Sequence, residues 1–264
     1  MARWLVRSLP VVVALIVVGV LASLGFTSTE DPVVPTTVQL TTGDAGAAVL
    51  EGEWKAPVEP VSTSPTSFDV ADAIGPSVAL YAEPDVPYEP KPALANPTHE
   101  GLPVVFLVLE QQPEWLKVRV SSRPNNLVLW VRRSEVSLRT VANRVVVEVG
   151  ARRVTVFHGD EVLLQTPVAV GTDRTPTPLG EFFVDGIVPL RAGGPYGTGQ
   201  VSVSGFSDVL QSFGGGVGQI ALHGTNRPEL MGQNVSNGCV RMPNDAINQV
   251  MALAPLGTPV TIVA

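Results

Sequence analysis

The sequence predicts a mainly β protein, in which an N-terminal signal or anchor segment precedes a small β-barrel module and a β-rich C-terminal domain with one main helix. Most apolar runs are short and end at Gly, Pro, Asn or Asp, as is typical of strands. One segment near the C-terminus carries both the start and the stop signals of a helix. An apolar run and a Pro-rich stretch fill the N-terminal part. We therefore expect four parts, at residues 1–29, 30–69, 70–140 and 141–264.

Residues 1–29 have the pattern of an export signal. Arg3 and Arg7 precede an uncharged, mostly apolar run at residues 8–29. The length of this run lies between that of a cleaved signal peptide and that of a membrane-spanning signal anchor, so both alternatives stay open. Because the arginines stay on the cytoplasmic side, we expect the rest of the chain to be exported. The expected location is the cell envelope, either anchored to the membrane or secreted into the cell wall or periplasm.

Residues 30–69 are rich in Pro, Thr, Ser and Val, as in "APVEPVSTSPTS". Such a composition buries little apolar surface, so we expect an extended linker. Residues 70–140 contain three strand-like runs, "PVVFLVLEQ", "EWLKVRVSS" and "NLVLWVRRSEV", and a long loop is expected at residues 84–101. The spacing of Leu80 and Tyr81, "EWLKV" and "LWVRRSEV" resembles the bacterial Src-homology-3-like barrels that are appended to cell-wall enzymes.

The last part, residues 141–264, begins with "RVVVEVGARRVTVFHGDEVLLQTPVAVG", which predicts three strands with turns at residues 150–151 and 158–160. A further strand, "GQIALHGT", ends at His223. The segment "PNDAINQVMALAPLG" predicts the main helix, with Asn244 as its N-cap and Pro255 and Gly257 at its end. "TPVTIVA" predicts a closing strand. Because this segment contains its own strands and helix, we expect it to fold without the upstream parts.

Composition and spacing exclude several classes of function. A formal net charge of −7 argues against a nucleic-acid-binding protein. Three histidines and one cysteine lack the spacing of a metal site. The stretch "GVGQIA" matches a dinucleotide-binding fingerprint, but a strand rather than a helix follows it. We therefore expect no metal and no organic cofactor.

Cys239, the only cysteine, lies in "HGTNRPELMGQNVSNGCVRM". A single cysteine in an exported chain is a buried apolar residue, an intermolecular bridge or a reactive thiol. A reactive thiol needs a base or positive charge that lowers its pKa, and His223 and Arg241 are candidates for these roles. Gly238 would let a substrate carbonyl approach the backbone, where the amides of Gly238 and Cys239 could stabilise an oxyanion.

The same stretch resembles the catalytic signature of the L,D-transpeptidase (YkuD-type) family, in which HGT precedes S-H-G-C-[IV]-R-[ML]. The upstream "VGTDRTPTPLGEFFV" and the downstream "NDAINQV" and "LGTPVTIV" are also similar to that family. The resemblance covers residues 141–264 and implies a β-rich catalytic fold. It also implies that Cys239 is the nucleophile, that His223 is the base and that the carbonyl of Gly224 orients the imidazole. Ser236, Asn237, Gly238 and Arg241 would support the site. Asn237 departs from the family pattern, because most members have a second histidine there.

The resemblance further implies acyl transfer on peptidoglycan stem peptides, with release of the terminal D-alanine and formation of 3→3 cross-links. The expected partners are these stem peptides and, through an uncleaved N-terminal segment, the membrane; the chain is expected to be a monomer. Two alternatives stay open. One is an L,D-carboxypeptidase that uses water as the acceptor, and the other is a non-enzymatic protein that binds the cell wall through its β module.

Overall fold

The structure, a computed structural model, describes residues 64–264. The predicted signal or anchor segment, 1–29, and most of the predicted linker, 30–63, lie outside the described residues. In the described part, strands predominate and there is one α-helix, so the prediction of a mainly β fold is confirmed. None of the helices within residues 64–264 has the length and apolar character that a membrane crossing requires.

The N-terminal half of the described chain folds into nine strands: β1 (Phe68–Ala73), β2 (Ser77–Ala79), β3 (Tyr81–Glu83), β4 (Val86–Pro87), β5 (Ala93–Ala95), β6 (Val105–Gln111), β7 (Trp115–Arg119), β8 (Val128–Arg132) and β9 (Val136–Val141). Seven of them form a sheet in the order β4-β3-β8-β7-β6-β1-β9, while β2 pairs with β5. A short 3-10 helix (Arg133–Glu135) precedes β9. We call these strands the N-terminal β module.

The three strands that the sequence predicted in this module are β6, β7 and β8. In β7, Leu116 and Val118 are fully buried and Lys117 is partly exposed, while Trp115 is also buried. The loop that was expected at residues 84–101 is interrupted by the short strands β4 and β5, so the expectation of one continuous loop is wrong. The similarity to Src-homology-3-like barrels stays a prediction.

The C-terminal half contains ten strands and the helix: β10 (Asn143–Glu148), β11 (Arg153–His158), β12 (Glu161–Pro167), β13 (Val170–Gly171), β14 (Gly180–Pro189), β15 (Gly199–Phe206), β16 (Gln219–His223), β17 (Asn234–Ser236), β18 (Val240–Arg241), α1 (Asn244–Leu253) and β19 (Pro259–Val263). Eight strands form one sheet in the order β12-β11-β10-β19-β14-β15-β16-β18. The closing strand β19 lies between β10 and β14, parallel to the first and antiparallel to the second. A second 3-10 helix spans Pro228–Leu230.

Helix α1 packs against β15 because its apolar residues lie on one face. Ala246, Ile247 and Val250 are buried in the core of the C-terminal sheet. The helix was predicted correctly, but its N-cap is Pro243 rather than Asn244. Asn244 is the first helical residue, and its side-chain oxygen instead accepts hydrogen bonds from the backbone amides of Thr198 and Thr225, at 3.3 and 3.1 Å.

The N-terminal β module and the C-terminal sheet share a hydrophobic cluster. Phe183 on β14 is fully buried against Val70, Leu107 and Val141 of the module. Burial of one such side chain stabilises the fold by about 2–3 kcal/mol. Arg139 adds polar contacts, because it pairs with Asp72 and donates a hydrogen bond to a backbone carbonyl of the C-terminal half. The two halves of the described residues, 64–264, therefore pack together within one compact unit.

Candidate active site

His223 is the last residue of β16, and Cys239 directly precedes β18. The two strands pair in parallel, with His223 opposite Arg241. This pairing brings together two residues that are distant in the sequence. Both line a cavity of about 180 Å³. The cavity is also lined by three other residues that the sequence singled out, Ser236, Asn237 and Arg241.

His223 is 4% exposed and is held by its own neighbour in the chain. Its Nδ1 atom lies 2.6 Å from the carbonyl oxygen of Gly224. Because a carbonyl oxygen only accepts, Nδ1 carries the proton, and the Nε2 atom of the neutral ring has a free lone pair. Burial lowers the pKa of His223 to about 4, although the hydrogen bond to Gly224 acts in the opposite direction. The ring is therefore neutral at neutral pH, in the tautomer that a general base requires.

The pKa of the Cys239 thiol is raised by burial, which outweighs the opposing effects of the Ala221 backbone amide and the Arg241 charge. The expectation that His223 would favour a thiolate at neutral pH is therefore wrong. A neutral imidazole has no charge with which to stabilise an anion. The resting site holds a neutral thiol and a neutral imidazole, and the thiol must lose its proton during the reaction.

The backbone before Cys239 is fixed by two hydroxyl groups. Thr177 Oγ1 donates a hydrogen bond to the carbonyl oxygen of Gly238 at 2.9 Å and accepts one from the amide of Gly171. Ser236 Oγ accepts a hydrogen bond from the amide of Gly238, 3.1 Å away, and donates to the carbonyl of Cys239. Gly238 itself has a φ of 115°, in the region that favours glycine.

These contacts change the prediction for the oxyanion site. The Gly238 amide already donates to Ser236, so it is not free to bind an oxyanion in this conformation. No acceptor within residues 64–264 forms a hydrogen bond with the amide of Cys239. Of the two amides that the sequence suggested, the one of Cys239 is therefore available.

Arg241 supplies the positive charge of the cavity. Its side chain is half-buried, and its Nε atom is buried without a hydrogen-bond partner among the described residues. Asn237 is exposed at the cavity edge. No group of three or more His, Cys, Asp or Glu side chains in the described part of the chain could hold a metal ion.

Several residues of the site were not singled out from the sequence. Tyr196 lies against His223, with ring centroids 4.4 Å apart, and lines the cavity. Thr177 lies in the "TPTPLG" segment, where its position next to Gly238 depends on tertiary packing. Another cavity wall comes from the segment at residues 207–218, through Ser207, Leu210, Phe213 and Gly218. Only the proximity of these segments to the signature in the folded chain reveals their roles.

A family model matches the C-terminal half of this chain, and two relatives of known sequence are similar to part of it. The family model of the L,D-transpeptidase catalytic domain (YkuD) matches residues 142–262. The YkuD protein of Bacillus subtilis (strain 168) is 35% identical over 123 residues, which cover 47% of this chain and 67% of that protein. YqjB of the same organism is 37% identical over 103 residues, which cover 36% of this chain and 56% of that protein.

Solved structures of L,D-transpeptidases also align with the chain. One from Mycobacterium smegmatis has 17% identity and a TM-score of 0.36 over 60% of this chain and 99% of that chain. One from Mycobacterium tuberculosis H37Rv has 15% identity and a TM-score of 0.40 over 61% of this chain and 90% of that chain. At these scores the structural similarities add nothing to what the family model and the YkuD relative show.

Proposed function

Because this chain belongs to the L,D-transpeptidase (YkuD) family, we propose that it is a peptidoglycan L,D-transpeptidase in which Cys239 is the nucleophile and His223 the general base. The observation that carries this proposal is the hydrogen bond between His223 Nδ1 and the Gly224 carbonyl, in a cavity that also contains Cys239. It leaves Nε2 free to accept a proton in the cavity that Cys239, the only cysteine in the chain, also lines.

The first half of the reaction is acylation. The Cys239 sulfur attacks the carbonyl carbon of the third stem residue, a diamino acid, while its proton moves to His223 Nε2. The negative charge that develops on the carbonyl oxygen is stabilised by the amide of Cys239 and by the charge of Arg241. The imidazolium then returns the proton to the leaving nitrogen. The C–N bond breaks, D-alanine leaves with its amine, and a thioester remains on Cys239.

The second half transfers the acyl group. The amine of a neighbouring stem attacks the thioester and loses a proton to His223, which protonates the departing sulfur. A new amide bond links two third-position residues, and the free thiol is restored. If water replaces the amine, the same steps give a shortened stem and no cross-link.

The neutral resting pair suits this sequence of proton transfers. In this cavity, a thiolate and an imidazolium would both need stabilisation before substrate arrives, because desolvation raises the pKa of the Cys239 thiol and lowers that of His223. Charge would develop only when the substrate carbonyl is in place, where Arg241 and the free amide act on it. Such a site stabilises the charges of the transition state more than it stabilises the resting state.

Acting on peptidoglycan implies that the catalytic domain lies outside the cytoplasmic membrane. The proposed export signal at residues 1–29 accounts for that location, whether it is cleaved or retained as an anchor. The proline-rich residues after it would give the domain reach into the wall.

The proposal is tested by incubating the purified protein with a disaccharide tetrapeptide that ends in D-alanine. Mass spectrometry should detect free D-alanine and 3→3 cross-linked dimers, and both should be absent with Cys239→Ala. Shortened monomers without dimers would identify an L,D-carboxypeptidase instead. No product from a correctly folded protein would favour the non-enzymatic wall-binding alternative.

A further inference from the structure

The loop between β7 and β8, residues 120–127, contacts the C-terminal half at a segment that lines the candidate active site. Arg123 in this loop donates hydrogen bonds to three backbone carbonyls of one segment. Its Nη1 lies 2.8 Å from the carbonyl oxygen of Ser207, and its Nη2 lies 3.0 and 3.2 Å from those of Leu210 and Val217. The guanidinium therefore joins the two ends of residues 207–218, which we call the wall loop.

The contact continues on both sides of Arg123. Its guanidinium stacks over the Phe206 ring, 5.2 Å from the centroid. Asn125 pairs with the backbone of Phe206 in both directions, because it donates to the carbonyl and accepts from the amide, each at 2.8 Å. A Cβ atom at Gly218 would lie 2.2 Å from the Leu210 carbonyl oxygen, so the loop ends are closely packed there.

The outer part of the wall loop is exposed, so contacts at its two ends limit its position. Besides the contacts with Arg123, the amide of Ser207 donates a hydrogen bond to the carbonyl oxygen of Gly218 at 2.8 Å. Val209, Phe213 and Val217 are 53%, 47% and 55% exposed, and Cβ atoms at Gly214 and Gly215 would meet nothing within 4 Å. Such a segment has little packing of its own to define its position. Ser207, Leu210, Phe213 and Gly218 of the same loop nevertheless line the cavity that contains Cys239.

We infer that Arg123 is a positioning residue that couples the N-terminal β module to substrate binding. It holds the wall loop in the position that shapes one side of the catalytic cavity, while it takes no part in the chemistry of the thiol. The inference rests on the proposed function for what the cavity binds. Arginine suits this role because its planar fork reaches several carbonyls at once, which a lysine ammonium does less well.

The test compares the full chain with Arg123→Ala, Arg123→Lys and the control Arg133→Ala. Arg133 also lies in the N-terminal β module and donates to a backbone carbonyl, but that carbonyl belongs to Gln112 in the same module. The control therefore removes a guanidinium without touching the wall loop. Three quantities are measured: imipenem acylation of Cys239, alkylation of Cys239 by iodoacetamide, and amide hydrogen exchange at residues 207–218.

We expect Arg123→Ala to raise the half-saturating imipenem concentration about tenfold or more, since a displaced wall misplaces the bound molecule. The acylation rate at saturating imipenem should change by a smaller factor than the half-saturating concentration does. Iodoacetamide is too small to need the wall, so its rate should stay within about twofold of the parent. Amides of the wall loop should exchange faster, and Arg123→Lys should give intermediate values. Arg133→Ala should match the parent in all three.

The inference would be overturned if Arg123→Ala had the same half-saturating imipenem concentration as the parent and the same amide exchange rates at residues 207–218. If Arg123→Ala does not fold, Arg123→Lys decides by the same two measurements. A parent protein that imipenem does not acylate would contradict the proposed function, whereas the exchange measurement would still show whether Arg123 holds the wall loop.

Discussion

The hydroxyl group of Thr177 lies 2.9 Å from the carbonyl oxygen of Gly238, the residue directly before Cys239. The same hydroxyl accepts a hydrogen bond from the Gly171 amide, so it links β13 to the turn that precedes the candidate nucleophile. Thr177 is 3% exposed, which means that water cannot replace it easily. The position of the thiol thus depends on a side chain outside the signature motif.

Replacing Thr177 by Val should therefore lower both stability and acylation. The substitution keeps the shape but leaves a buried amide and a buried carbonyl without partners, which costs about 1–3 kcal/mol in the free energy of unfolding. Acylation by imipenem should slow as well, because the Cys239 backbone is less well fixed. Urea unfolding and intact-protein mass measure the two effects. Thr177→Ser retains the hydroxyl and should stay near the parent; equal losses in both variants would show that the hydrogen bonds are unimportant.

The resting thiol should react slowly with a small alkylating reagent. Burial raises the pKa of Cys239, so only a small fraction is thiolate at pH 7, and iodoacetamide should label it more slowly than it labels glutathione. The rate should continue to rise above pH 9. His223→Ala should change it little, because a neutral imidazole does not stabilise the anion. Faster labelling than glutathione at neutral pH, lost in His223→Ala, would indicate a thiolate–imidazolium pair.

Asp185 on β14 should make the stability depend on pH. Burial raises its pKa to about 6, although Ser121 and Gln219 donate hydrogen bonds to it. Its Oδ1 atom is buried without a partner among the described residues. Between its ordinary pKa and about 6, folded Asp185 keeps a proton that the unfolded chain has released. The stability from this proton is present in acid and is lost as the pH rises through about 6.

Asp185→Asn cannot ionise, so it should escape that loss. The free energy of unfolding of the variant minus that of the parent should therefore increase by about 2–3 kcal/mol from pH 4 to pH 7. Urea unfolding at several pH values measures the difference. Asp173→Asn, a change at an exposed carboxylate, serves as the control. A parent-to-variant difference that stays constant with pH would show that Asp185 ionises normally in the folded protein.

The C-terminal half should be less stable without the N-terminal β module. Removal of residues 1–140 would expose Phe183, which is fully buried against Val70 and Leu107. We therefore expect residues 141–264 to show a lower and broader thermal transition than the full chain. In the full chain, Val70→Ala should cost about 1–3 kcal/mol, while Val86→Ala, at a 50% exposed side chain, should cost almost nothing. An isolated segment as stable as the full chain would show that the shared cluster is dispensable.

The sequence predicted local structure well where one segment carries the whole signal. The strand that ends at His223, the closing strand and helix α1 all follow from apolar periodicity and turn residues. The short strands β4 and β5 were missed, since two or three residues give no periodic signal. The residue type of Asn244 predicts an N-cap, whereas Asn244 is the first residue of the helix. In the fold, its side-chain oxygen instead accepts hydrogen bonds from two loop amides.

Beyond the signature residues, the properties of the site depend on the tertiary structure and could not be predicted from the sequence. The motif resemblance identified Cys239 and His223 as candidates, but the direction of their pKa shifts depends on burial, which a linear sequence does not show. The contacts of Thr177 and Arg123 join segments that are far apart in the chain. Asn237 lies exposed at the cavity edge, where it is not part of the His223 hydrogen bond. That activity tolerates Asn at this position stays a prediction.

The central claim, that Cys239 is the acylated nucleophile, is tested most directly by trapping the acyl-enzyme with a carbapenem. Imipenem is mixed with the intact protein at neutral pH, and the mass of the protein and of its peptides is then measured. We expect one adduct of the mass of imipenem, located on the peptide that contains Cys239, and none with Cys239→Ala. His223→Ala should form it far more slowly. No adduct on the folded parent, or an adduct on another residue, would contradict the proposed mechanism.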